Sequence, residues 1–169
     1  MARETINTRK PKPGESLAEL NPEVAAMADG WDPTTVTAST HKKMPWICSL
    51  GHKWESAVST RNAHGAGCPI CSNQRLLVGF NDLATTHPEL AAQANGWNPQ
   101  TVIRGSNKKF SWKCRLGHVW VAGANDRVQG KGCPYCSGNY VWVGFNDLAT
   151  TQPELSTQAH GWDPKPSLL

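Results

Sequence analysis

Apolar and polar residues alternate along two stretches of the chain, and this alternation predicts a β-hairpin in each. In the first stretch, residues 43–58, Trp46 and Cys48 point to the same side, and His52 and Trp54 share a face on the returning strand. Gly51 lies at the turn between the two strands. The same order recurs later in the chain, with Trp112, Cys114, Gly117, His118 and Trp120.

Short helices are predicted where a capping-box pattern, Ser or Thr followed three residues later by Glu, precedes a Leu/Ala stretch. The pattern starts at Ser16, Thr86 and Thr151, and the last two helices have Pro88 and Pro153 in their first turn. Each predicted helix ends near a glycine that directly precedes a Trp-Asp/Asn-Pro turn. These glycines are Gly30, Gly96 and Gly161.

These elements belong to an internal repeat of about 65 residues, which predicts a tandem array. We expect a flexible basic arm over residues 1–14, full repeats over 15–75 and 79–140, and a helical half-repeat without zinc ligands over 144–169. A unit of this size has a marginal core, so a bound metal is expected to support its folding.

Each full repeat contains Cys-x3-His followed by Cys-x2-Cys, and this pattern uses all six cysteines of the chain. Three thiolates and one imidazole form a closed tetrahedral site for structural zinc, with no position left for water or substrate. A hairpin that supplies two ligands and a following turn that supplies two more is the treble-clef arrangement. The predicted ligands of two structural Zn²⁺ ions are Cys48, His52, Cys68 and Cys71, and Cys114, His118, Cys133 and Cys136.

The repeat also selects the ligand histidines, because the other histidines do not recur at the corresponding positions. A different histidine, a three-ligand site or an iron centre on the same ligands remain alternatives. Three disulfides are a further alternative, but no apolar signal segment at the start of the sequence favours export. Reduced cysteines instead indicate a reducing compartment, so we expect a cytoplasmic protein, associated with the nucleoid if bacterial.

Charge is segregated along this 169-residue chain, whose net charge is +4. Residues 15–39 carry five acids and no base, whereas residues 104–131 carry seven bases and one acid. Basic zinc segments between acidic ones indicate a face that binds a polyanion, although a solvated mixed-charge surface is the simpler alternative. No apolar run is long enough for a membrane span.

The candidate nucleic-acid contacts are basic residues at repeated positions near the hairpins. We expect phosphate contacts from lysines, and contact with a base edge or a narrow groove from two arginines, unless these side chains are simply solvated. The lysines are Lys42, Lys43, Lys53, Lys108, Lys109 and Lys113, and the arginines are Arg61 and Arg127.

Most of the tryptophans recur with the repeat and are predicted to form the cores. They are Trp31, Trp46, Trp54, Trp97, Trp112 and Trp120. Trp142 does not recur, and with Tyr140 it could form an exposed contact surface or pack between modules.

The order W-x-C-x-x-G-H-x-W, an Arg, then G-x-G-C-P-x-C, preceded by a P-E-L/V-A-A helix and a G-W-D/N-P turn, resembles the bacterial and phage treble-clef zinc-finger repeat family, also described as a probable zinc ribbon. The resemblance covers nearly all of residues 15–169. It implies a small α+β metal-bound fold of tandem treble-clef modules. It also implies a DNA-binding role, in some members alongside nuclease-like domains.

The leading hypothesis is a nucleic-acid-binding protein, preferably for duplex DNA, whose two modules add affinity through multivalency. The alternative is a protein-interaction adaptor in a ribosome, polymerase or nuclease complex. Nuclease activity is disfavoured because the repeated histidines are used as structural ligands. We therefore expect no enzymatic activity, no membrane partner and no small-molecule substrate.

Overall fold

The computed structural model describes residues 10–165, except for the side chain of His64. It divides into two compact units, with the boundary between Arg75 and Leu76. Residues 1–9, most of the predicted flexible arm, lie outside the described residues. None of the helices in the described part is long and apolar enough to cross a membrane.

The first unit is a two-stranded hairpin flanked by short helices. Its elements are α1 (Leu17–Leu20), α2 (Pro22–Ala25), a 3-10 turn (Pro33–Thr35), β1 (Lys43–Ile47), β2 (Lys53–Ala57) and α3 (Val58–His64). The strands are antiparallel, with Trp46 directly opposite Trp54. Residues 27–29 lie along the other edge of β1, where the Asp29 N–H donates to the Pro45 carbonyl at 3.1 Å.

The core of the first unit lies on the inner face of the hairpin, against α1, α2 and α3. Trp46 is fully buried and Trp54 is 6% exposed, because alternate strand residues point to the same face. Trp31 meets Trp46 edge to face at 5.1 Å, and its indole N–H donates to the Pro45 carbonyl. The predicted core role of these three tryptophans is confirmed.

The second unit repeats this arrangement. Its elements are α4 (Leu83–Thr86), α5 (Pro88–Ala91), a 3-10 turn (Pro99–Thr101), β3 (Lys109–Lys113), β4 (Val119–Gly123), α6 (Ala124–Val128), α7 (Leu148–Thr151) and α8 (Pro153–Ser156). Trp112 lies opposite Trp120, and both are buried with Leu83 and Ala124. Trp97 meets Trp112 edge to face at 5.1 Å, so the predicted core role of these tryptophans is also confirmed.

The helix caps agree with the sequence prediction at one of three positions. Ser16 and Glu19 form a complete capping box at α1. At α4 the cap is Asp82, which accepts hydrogen bonds from the Thr85 N–H at 2.9 Å and the Gly79 N–H at 2.6 Å. Asp147 caps α7 in the same way. Thr86 and Thr151 were wrongly predicted as caps of the helices that begin at Pro88 and Pro153. The N-caps of α5 and α8 are His87 and Gln152, which make no side-chain cap hydrogen bond, and each threonine hydroxyl donates to the carbonyl of the preceding capping aspartate.

Candidate metal centres and basic surface

The first candidate metal centre lies at the tip of the first hairpin. Cys48 follows β1, His52 precedes β2, and Cys68 and Cys71 lie on a tight turn after α3. Gly51, at the hairpin tip, has a φ of 80°, a left-handed conformation that glycine adopts without strain. The Cys48 N–H donates to the His52 carbonyl at 3.1 Å, which holds the first two ligands together.

The four ligand atoms of this centre have the spacing of a tetrahedral zinc site. The Cys48 and Cys71 sulfurs are 3.8 Å apart, and His52 Nδ1 lies 3.5 Å from the Cys48 sulfur and 3.3 Å from the Cys71 sulfur. Zinc bonds of about 2.3 Å to sulfur and about 2.0 Å to nitrogen require separations of about 3.8 Å between two sulfurs and about 3.5 Å between sulfur and nitrogen in a tetrahedron. The residues present therefore fit one zinc ion, with Nδ1 as the histidine ligand atom.

The second centre has the same geometry in the second unit. The Cys114 and Cys136 sulfurs are 3.8 Å apart. His118 Nδ1 lies 3.5 Å from the Cys114 sulfur, 3.3 Å from the Cys136 sulfur and 3.7 Å from the Cys133 sulfur. Within each centre all ligand atoms lie within 4.8 Å of one another. The structure thus brings together the four predicted ligands of each repeat.

Thiol protonation shows why these sulfur clusters require a cation. Burial, together with the neighbouring thiols, raises the pKa of Cys71 to about 11 and that of Cys136 to about 12. Burial also acts to raise the pKa of Cys48, but hydrogen bonds from backbone N–H groups and from the neighbouring thiols together outweigh it, and the pKa is lowered. Three adjacent thiolates repel one another, so a divalent ion must replace the retained protons for all three sulfurs to ionise.

Aromatic side chains enclose the histidine ligand of the second centre. The His118 side chain is buried, and its ring lies 4.4 Å from that of Phe145 and 5.0 Å from that of Trp142. Asn146 fixes this segment: its side-chain amide donates to the Tyr140 carbonyl at 2.8 Å, and its oxygen accepts from the Trp142 N–H at 2.6 Å. Trp142 therefore packs on a metal ligand while remaining 38% exposed.

Arg61 and Arg127 do not lie on the surface, which corrects their prediction as nucleic-acid contacts. Arg61 is 2% exposed and Arg127 is 6% exposed. The Arg61 guanidinium lies 5.2 Å from the ring centre of Trp46 and 5.3 Å from that of Trp54. An arginine can be buried in this way because its planar cation stacks on aromatic faces.

Arg127 occupies the same position in the second unit, where it also has hydrogen-bond partners. Its guanidinium lies 5.2 Å from the ring centre of Trp112 and 5.1 Å from that of Trp120. It donates to the Gln93 side-chain oxygen at 2.6 Å and to the Lys131 carbonyl. Each arginine therefore links the hairpin to a neighbouring segment within the core of its module.

The six predicted lysine contacts are all exposed. Lys53 forms an ion pair, because its ammonium lies 3.0 Å from an Asp29 carboxylate oxygen. The sequence analysis did not predict this ion pair, since the two residues come together only when residues 27–29 align beside β1. Phe145 and Asn146 were missed as neighbours of the second centre, although the recurring Gly-Phe-Asn-Asp sequence was a signal for them.

Comparison with known proteins identifies both modules. The family model described as "Probable Treble clef zinc finger domain" matches residues 25–74 and 88–139, and each match contains all four ligands of one centre. The chain is also similar to a protein of Escherichia phage T5 named "Putative endonuclease", with 25% identity over 103 residues. That match covers 61% of this chain but 35% of the phage protein, so the chain spans about a third of this relative's length.

Proposed function

Because this chain belongs to the probable treble-clef zinc-finger family, we propose that its two zinc modules bind nucleic acid, preferably duplex DNA. The observation that carries the proposal is the position of the exposed lysines, which lie on each hairpin and on the turn before it. Exposed ammonium groups on a rigid hairpin suit phosphate contacts, which give affinity and orientation without reading sequence.

In this proposal the zinc ions are structural and the protein is not an enzyme. Three cysteines and one histidine fill the coordination sphere of zinc, so no position remains for a water or a substrate. When bound, the metal neutralises the ligand thiolates and holds the hairpin to the turn that carries the second pair of cysteines. The hairpin held in this way then positions the lysines on its strands and on the turn before it.

The phage T5 relative supports a connection with nucleic acid, because its name describes a protein that acts on it. The chain spans about a third of that relative, and we propose that the shared part contributes binding to nucleic acid rather than cleavage. Incubating zinc-loaded protein with plasmid and Mg²⁺ or Mn²⁺ tests this. Intact plasmid is expected, and metal-dependent nicking that copurifies with the protein would contradict the proposal.

Fluorescence anisotropy with labelled duplex DNA, single-stranded DNA and RNA, each across a salt series, tests the binding proposal. A preference for duplex DNA and a steep loss of affinity with salt are expected, because the slope reports the number of neutralised phosphates. Absence of binding to every nucleic acid at low salt would refute the proposal.

A second candidate function is protein interaction, and residues 140–143 favour it. Tyr140 is 60% exposed, and Val141, Trp142 and Val143 are each exposed by about two fifths. A run of exposed aromatic and β-branched side chains suits the core of a protein interface. A partner that stays bound at high salt would favour this function, because contacts dominated by phosphates are screened.

A further inference from the structure

The two hairpins have similar buried faces but differently charged outer faces, meaning the faces that point away from the tryptophan core. Residues directly opposite each other on two paired strands point to the same face of the hairpin, and alternate pairs point to the outer face. In the first, Lys43, Pro45 and Ile47 face Ala57, Glu55 and Lys53. In the second, Lys109, Ser111 and Lys113 face Gly123, Val121 and Val119.

Acidic groups neutralise the outer face of the first hairpin. Asp29 lies beside β1, and its carboxylate reaches across that strand to the Lys53 ammonium at 3.0 Å. Glu55 lies two residues after Lys53 on the same face and is exposed. The lysines Lys43 and Lys53 are therefore matched by two carboxylates, and the net charge of this face is zero.

The second hairpin has no carboxylate at either of the matching positions. Asn95 replaces Asp29, and its amide donates to the Ser111 hydroxyl at 3.0 Å. Val121 replaces Glu55 and is 65% exposed. Lys113 replaces Ile47 and Val119 replaces Lys53, so each outer face carries two lysines, but those of the second face have no carboxylate at the matching positions.

With the exposed Arg115 at the hairpin tip in place of Ser49, the second hairpin has three exposed cations, the other two being Lys109 and Lys113. None of its matching positions holds a carboxylate. Asp126 lies beside this face and interacts with Lys109, but it is paired with the additional cation Lys131 at 2.7 Å, so the face keeps an excess of positive charge. The same contrast extends to whole modules: residues 15–75 have five bases and six acids, whereas residues 76–140 have seven bases and three acids.

We infer that the outer face of the second hairpin is the main surface that contacts nucleic-acid phosphates, and that the first hairpin contributes little to this contact. The inference rests on the proposed nucleic-acid function. A face with an excess of positive charge attracts a polyanion, whereas on the first face each phosphate would also approach Asp29 and Glu55. The two modules therefore have different roles, despite binding zinc in the same way.

Matched pairs of variants in the full-length, zinc-loaded chain test this inference by anisotropy on labelled duplex DNA. Lys109→Ala with Lys113→Ala should reduce affinity about 30-fold, taking about 1 kcal/mol for each lysine–phosphate pair in water. It should also make the salt slope shallower by about 1.8. The control, Lys43→Ala with Lys53→Ala, removes the same total charge from a face that is expected to make few phosphate contacts, so it should change affinity about twofold or less.

The second part of the test exchanges the charged residues of the two outer faces. Asn95→Asp with Val121→Glu places the acids of the first face on the second, and should reduce affinity. Asp29→Asn with Glu55→Val makes the reverse change on the first hairpin, and should raise affinity. These positions are at least partly exposed and each new residue already occurs in the other hairpin, so zinc content and tryptophan fluorescence should match the wild type.

The outcomes separate this inference from the function on which it rests. If wild type binds duplex DNA and the two lysine pairs reduce affinity equally, the modules have equal roles and the inference is wrong. The inference is also overturned if wild type binds and the Lys109/Lys113 pair has no effect. If wild type itself binds no nucleic acid at low salt, the proposed function is refuted, and the inference that rests on it is refuted as well.

Discussion

Replacing Arg127 by alanine should destabilise the second module, because this arginine is part of its core. Its guanidinium lies over the rings of Trp112 and Trp120, and two partly desolvated cation–π contacts contribute about 2 kcal/mol. Hydrogen bonds to the Gln93 side chain and the Lys131 carbonyl add about 3 kcal/mol. Burial of a guanidinium whose Nε has no partner among the described residues costs about 2 kcal/mol. The expected loss is about 3 kcal/mol.

Thermal unfolding of the zinc-loaded chain, followed by tryptophan fluorescence, measures this effect. A loss of about 3 kcal/mol in a unit of this size lowers its midpoint by at least about 12 °C. Arg127→Lys should recover only part of the loss, because lysine lacks the planar cation and the several N–H donors of a guanidinium. Arg61→Ala is the matched variant in the first module. It should cost less, since Arg61 donates to the sulfur of Met27, a weak acceptor.

The same variant distinguishes a core arginine from a nucleic-acid contact. If Arg127→Ala left the unfolding midpoint unchanged and made the salt slope of DNA binding shallower by about one, the side chain would be a phosphate contact. That result would refute the assignment of this arginine to the core.

Three further predictions concern the caps and the metal centres. Asp82→Ala should lower the free energy of unfolding by about 1–2 kcal/mol, with Asp82→Asn closer to wild type, as denaturant unfolding would show. Trp142→Ala should weaken zinc binding at the second centre by about tenfold, with faster loss to a chelator and the first centre unchanged. Zinc affinity should fall as pH falls, by about tenfold per pH unit for each proton displaced, because the pKa of Cys136 in the metal-free site is about 12. Chelator competition across a pH series measures this.

Covalent spacing and local periodicity were sufficient to predict the ligands and the hairpins. A glycine at the tip and ligands on either side of it restrict the chain to a narrow turn, so Cys48 and His52 must lie close together. The repeat then identified His118 by the same argument.

The sequence prediction failed where the decisive partner is distant in the chain. Arg61 and Arg127 follow the pattern of exposed basic residues, but each is enclosed by two tryptophans from the paired strands. The two arginines recur in the repeat together with those tryptophans, and this recurrence could have indicated that they belong to the core. The capping error has a local cause. Thr86 and Glu89 satisfy the capping-box pattern, but Thr86 is the last residue of α4, and the next helix has His87 as its N-cap.

The central claim is that each module holds its own zinc ion, and native mass spectrometry of wild type beside Cys68→Ser tests it most directly. Wild type should carry two zinc ions with all six cysteines reduced, and the variant should lose the first ion while keeping the second. A wild-type mass lowered by disulfide formation, or loss of both ions from the single variant, would contradict two independent zinc modules.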